Sequence, residues 1–218
     1  MIALIHAVHP AIAPVEASFR RLWPEAERFN LVDDGLPAAL ELEGGITPAI
    51  DARILRLAAH AQQCGARAVL FTCSAFGSAI EAAGRALMLP VLKPNEPMFT
   101  EALGAAGGGR IGMLATFEPA VGSMAQEFRA LAAERGVAAT LETVCVPEAI
   151  AAAKGGDITR HDELVAQAAP RLAHCDAIML AHFSTSTAKP RVEQVLGRAV
   201  FSAPDAAVLR VRRLLGAG

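Results

Sequence analysis

The sequence predicts an α/β protein made of two pseudo-symmetric doubly wound parallel-sheet lobes, with the active site in the cleft between them. Three observations carry that expectation. Short apolar runs alternate with longer stretches of helical spacing, the chain repeats itself once at half its length, and polar or titratable residues gather just beyond the apolar runs.

The apolar runs at 2–5, 68–71, 111–115 and 177–181 are short and rich in branched residues, which is the pattern of strands buried on both faces. Between them, 51–64 and 162–174 carry Ala, Leu and charged residues at helical spacing. Strands and helices in alternation build parallel sheets covered on both sides. The opening run lacks a basic leader and reaches Pro10 early, so it reads as the first strand and not as a secretion signal.

The repeat follows from laying LIHAVHPAIAP over MLATFEPAVG and AVLFTCSAFG over AIMLAHFSTS. Pro10 then meets Pro119 and Cys73 meets His182, both 109 residues apart, and Val91 meets Val200 at the same spacing. A weaker match of Pro37 to Pro147 adds one inserted residue. The lobes are expected at 1–97 with 205–218, and at 98–204. Gly107, Gly108 and Gly109 close a stretch, 101–110, that reads as the linker; a phosphate loop would follow a strand and open a helix, and these glycines precede a strand. The closing segment reads as a helix with Arg210, Arg212 and Arg213 solvated and Leu209, Val211 and Leu214 inward.

Composition excludes several classes. A formal net charge of -2 and 19% charged residues offer no basic surface for nucleic acid, and 53% hydrophobic residues exclude disorder. No apolar run reaches the roughly 20 residues that a membrane helix needs. Cys64, Cys73, Cys145 and Cys175 are widely spaced, which fits reduced thiols and a cytoplasmic location. Neither GxGxxG nor GxxxxGK[ST] occurs, so no nucleotide cofactor is expected. His6 and His9 lack further residues at ligand spacing, so no metal is expected, and His9 reads instead as a cleft residue.

Ligands of parallel α/β sheets collect beyond the carboxyl ends of the strands. Cys73 stands there, with Ser74 placed to cap a following helix whose positive end would favour the thiolate. The competing reading is a small buried hydrophobe. His182 occupies the matching place in the second half, where it is either a second acid/base group or a histidine satisfied by backbone. Ser74, Thr116 and Ser184, with Thr185 beside it, are candidate anion donors, and each is alternatively a plain helix cap. A nucleophile elbow would need glycines flanking Cys73, and they are absent.

The repeat, TCS at 72–74, LATFEP at 114–119 and VLKPNEPM at 91–98 resemble the aspartate/glutamate racemase superfamily, which includes hydantoin racemases, maleate isomerases and arylmalonate decarboxylases. The resemblance spans essentially the whole chain. It implies an active site between two lobes without metal or organic cofactor, Cys73 as the first-lobe cysteine, and Ser74 with Thr116 in the set that holds a carboxylate. Where a family racemase reads Gly-Cys-Thr, this chain has Ala181, His182 and Phe183, so a two-thiol racemization is ruled out. His182 replaces the second thiol, or the enzyme is a one-cysteine decarboxylase or isomerase, or catalysis is lost. Known one-cysteine decarboxylases keep their cysteine in the second lobe. Phe117 and Phe183 imply a more apolar pocket than an amino-acid racemase needs. The expectation is a racemase/isomerase-like enzyme moving a proton alpha to the carboxylate of a small acid, working as a homodimer. The alternatives are a decarboxylase of a malonate-like acid and a non-catalytic small-acid-binding protein.

Overall fold

Strand β1 (Ile2–His6) is buried at every residue, as a strand must be when helices cover both faces of its sheet. In a computed structural model describing residues 1–217, it joins β2 (Arg28–Val32), β3 (Ala68–Phe71) and β4 (Val91–Leu92) in a parallel sheet of order β2-β1-β3-β4. A second parallel sheet, of order β6-β5-β7-β8, holds β5 (Arg110–Ala115), β6 (Thr140–Cys145), β7 (Ala177–Leu180) and β8 (Phe201–Ser202). The sheets have the same strand order, so the repeat in the sequence is a repeat of topology. They belong to two units, Met1–Pro94 with Ala207–Gly218, and Asn95–Ala206.

In the first unit the helix Pro48–Gln63 starts three residues before the expected 51, because Thr47 caps it and Pro48 opens it with φ already set. The Thr47 hydroxyl accepts the Ile50 N–H at 3.5 Å. Ile50, Ile54 and Ala58 fall at four-residue spacing on its inner face. Each buried isoleucine contributes about 2 kcal/mol of apolar transfer. They pack with Ala3, Ile5, Val69 and Phe71 of the central strands.

In the second unit the single helix expected at 162–174 is Ile158–Ala168 followed by a 3₁₀ turn, Ala169–Leu172. Pro170 lacks the N–H that would continue the helix, and Asp157 sets the start by accepting the Arg160 N–H at 2.9 Å. The stretch expected as a linker also differs. It is helical to Ala106 in the helix Glu96–Ala106, and its three glycines turn the chain into β5 inside the second unit. A side chain at Gly109 would collide with Asp176, whose carboxylate accepts the Arg110 N–H at 2.6 Å.

The closing helix, Ala203–Leu214, turns Val208 and Val211 inward and leaves Leu214 exposed. Arg212 is not simply solvated, since it donates to the carbonyls of Ala217 and Leu22. Among the described residues no helix is long and apolar enough to cross a membrane.

Gly112 sits inside β5 where an added Cβ would lie 3.0 Å from Leu172 Cβ and 3.3 Å from the Cys175 sulfur. Gly112→Ala should therefore overpack the second unit and cost about 1–3 kcal/mol. Urea unfolding would show this as a lower midpoint, and an unchanged midpoint would mean that Leu172 yields freely.

Candidate functional site

In the first unit the site forms where β1 and β3 end. Cys73 follows β3 with extended backbone, φ -114° and ψ 125°, and leads a 3₁₀ turn, Ser74–Phe76, before the helix Gly77–Ala86. Ser74 makes no capping bond to either element, contrary to the sequence reading, because the helix starts three residues beyond it. Burial pushes the Cys73 thiol above its ordinary pKa, and a hydrogen bond from the Ala75 backbone offsets this only in part. The thiol is thus protonated at neutral pH, and a thiolate favoured by a helix terminus is not what the fold provides. Desolvation outweighs one backbone dipole.

Beside Cys73 lies a pocket of about 480 Å³. Pro37, Leu40, Ile46 and Phe76 line it, together with Gly44 and Gly45. Glu41 is the one charged residue among those lining it. The helix Leu36–Leu42 supplies Pro37 and Leu40, and Gly44 and Gly45 both take positive φ, 68° and 152°, in the loop that follows. These residues were not legible as site residues in the sequence. The adjacent glycines were the only local signal, and they mark a turn equally well.

His6 and His9 do not form a pair. His6 is fully buried with its ring nitrogens against Thr72 and Asn30, whereas His9 is exposed and lies 3.3 Å from Asp34.

In the second unit the carboxyl ends of β5 and β7 bring Thr116 and Thr185 together, hydroxyl to hydroxyl at 3.3 Å in the core. His182 follows β7 with φ 67°, the one non-glycine residue in the left-handed region among those described. Strain of this kind concentrates at functional positions. Both His182 ring nitrogens are buried and lack a hydrogen-bond partner of good geometry. Burial drives its pKa down to about 4, the nearby Ala181 backbone offsetting little of this, and the imidazole is neutral at neutral pH. Phe183 is buried, Ser184 is half-buried and Phe117 is 41% exposed. Ser202 Oγ and Asn95 Nδ2, in the same unit, are also buried without partners.

Cys145 ends β6 beside the Glu118 carboxylate. Burial and that carboxylate raise its pKa to about 11. Glu142, His174 and Cys175 form the one group of three metal-capable side chains among the described residues, their ligand atoms within 4.8 Å of one another. His174 Nε2 already bonds Glu142 at 2.8 Å, and the Cys175 thiol is buried against Gly112.

The profile of the Asp/Glu/Hydantoin racemase family matches residues 15–211. Among solved structures, glutamate racemase isoform RacE1 from Bacillus anthracis superposes with a TM-score of 0.74 at 16% identity, covering 99% of this chain and 81% of that one. Allantoin racemase from Klebsiella pneumoniae gives 0.72 at 19% identity, covering 100% and 88%. Arylmalonate decarboxylase gives 0.65 at 21% identity, covering 100% and 93%. At these identities the likeness is one of fold. A search of curated protein sequences finds no match.

The buried imidazole makes stability depend on pH. Its folded pKa, about 4, lies below the ordinary 6.5, so as pH falls the unfolded chain takes up the proton first. Titration of His182 therefore adds no cost above pH 6.5 and destabilises progressively between 6.5 and 4, by about 3 kcal/mol in all. His182→Asn, whose side chain tolerates the left-handed backbone, should flatten this part of the profile in urea unfolding across pH. An equal slope in both proteins would contradict the assignment.

Proposed function

The chain belongs to the Asp/Glu/Hydantoin racemase family, and we propose that it is a cofactor-independent, racemase/isomerase-like enzyme that moves a proton at the carbon alpha to a carboxylate. The observation that carries this reading is the Cys73 thiol, protonated and opening on a pocket at the carboxyl end of β3. The pocket's Leu40, Ile46, Pro37 and Phe76 favour a small acid with an apolar alpha substituent.

Cys73 acts as acid and His182 as the second acid/base group. The resting states suit these roles, since the thiol holds a proton and the imidazole holds a free lone pair. In one direction the Cα–H bond breaks, the proton moves to His182, and the electron pair enters the carboxylate as an enediolate. The Cys73 S–H then protonates the carbon, leaving thiolate and imidazolium. Proton exchange with solvent restores both. A substrate carboxylate raises the proton affinity of a neighbouring imidazole, because an anion stabilises its charged form. That offsets part of the burial which leaves His182 a weak base.

Ser74, Thr116 and Ser184 serve as hydroxyl donors to the anion, the electrostatic help that dominates enolate chemistry. His9, Phe117 and Phe183 complete the substrate-binding set. We place the enzyme in the cytoplasm as a homodimer. A second reading, decarboxylation of a malonate-like acid, is favoured by the single protonated thiol at the pocket, since loss of CO₂ leaves an enediolate that needs only a proton donor.

Solvent deuterium incorporation at the alpha carbon, across amino acids, hydantoins and 2-substituted acids, tests the first reading, and CO₂ release from 2-substituted malonates tests the second. Cys73→Ala should lower the productive rate at least about 100-fold, the scale of a lost general acid, while the unfolding midpoint stays near that of the parent protein. Full activity in Cys73→Ala would end both readings.

A further inference from the structure

We propose that His6 is a positioning residue for Cys73, acting through the Thr72 hydroxyl. The inference rests on the reading of Cys73 as the acting thiol and adds a residue to its machinery. Four side chains of the first unit form one line of hydrogen bonds. Thr72 Oγ1 lies 2.9 Å from His6 Nδ1, His6 Nε2 lies 2.8 Å from Asn30 Oδ1, and Asn30 Nδ2 donates to Glu16 Oε1 at 3.1 Å. Arg28 closes the line by donating to the other Glu16 oxygen at 2.9 and 2.6 Å.

The far end sets the direction of every bond. A carboxylate already held by Arg28 only accepts, so the Asn30 amide must turn its NH₂ to Glu16 and its carbonyl to His6. His6 therefore carries its proton on Nε2 and offers a lone pair at Nδ1. The Thr72 hydroxyl must be the donor. Burial lowers the His6 pKa, which keeps the ring neutral and this single tautomer in place. Glu16 and His9 are the titratable groups whose charges act on it.

Thr72 is consequently held twice. Its N–H donates to the Ile5 carbonyl at 3.0 Å and its hydroxyl is committed to His6, while the alternative acceptor, Ile5 O, is 3.4 Å from Oγ1. A β-branched side chain anchored at Oγ1 has its χ1 fixed. The peptide joining Thr72 to Cys73 is thereby held, with the Cys73 sulfur set against the Ala75 N–H. With His6 neutral and 0% exposed, its part is to orient and not to exchange protons with substrate.

The test reads the thiol itself. Cys73 alkylation is followed across pH by peptide-resolved mass spectrometry, with exposed Cys64 as internal reference and thermal unfolding measured alongside. His6→Leu fills the space without an acceptor, and His6→Asn keeps an acceptor near the Nδ1 position while giving up the Asn30 bond. His6→Leu should move the Cys73 midpoint upward by about half a unit, slowing alkylation about threefold below it, as the Ala75 contact loosens. His6→Asn should keep the parent midpoint even if its thermal stability falls. Thr72→Val, which removes the donor, should repeat the His6→Leu shift and replaces that variant if it does not fold. A parent-like midpoint in His6→Leu or Thr72→Val, or an equal shift in His6→Asn, would overturn the proposal. Because the readout is chemical labelling, failure of the proposed catalysis leaves this test intact.

Discussion

The parallel pairing of β1 with β3, Ile5 opposite Phe71, is the constraint on which the rest depends. Both strands are buried throughout, so polar chemistry has no place along their length. It emerges only where pairing stops, and there the chain supplies His6, Thr72 and Cys73 in quick succession. The same logic holds in the second unit, where Thr116 follows β5, and His182 and Thr185 follow β7. Shared strand order gives both units the same carboxyl edge, and the chemistry differs because the residues placed on it differ.

Burial is also what sets the charge state of these groups. Desolvation disfavours the thiolate of Cys73 and the imidazolium of His182 alike, so at neutral pH each is uncharged. A buried imidazole without partners costs stability on the order of 1–3 kcal/mol for each unsatisfied nitrogen. Holding it in the left-handed region adds to that cost.

Much of the architecture was legible in the sequence because it lay in local periodicity and in the repeat. The four central strands could be read from apolar runs, and the 109-residue spacing paired Cys73 with His182 as residues that follow equivalent strands. Helix limits were less legible, since Thr47 and Asp157 set starts that hydrophobic spacing does not mark. Glycines alone make 101–110 read as a linker, whereas the stretch lies inside the second unit, where Gly109 is needed for a close approach to Asp176 and Gly107 and Gly108 take positive φ.

The candidate site divided along the same line. Residues next to strand ends can be nominated from sequence, whereas Leu40 and Ile46 reach the pocket from a helix and loop whose position tertiary packing decides. The protonation of Cys73 was misjudged because a helix terminus can be read from sequence and desolvation cannot. The sequence excluded a metal at His6 but gave it no role, and its two partners lie one on β2 and one just past β3. Pairing across 24 and 66 residues leaves no local trace.

The central claim is that the Cys73 sulfur faces the reacting carbon of a bound acid. A crystal structure with an unreactive 2-substituted carboxylate tests it most directly. The account predicts the apolar substituent between Leu40, Ile46 and Phe76 and the alpha carbon in contact with Sγ. A carboxylate seated elsewhere, with the Cys73 sulfur packed away from it, would contradict it.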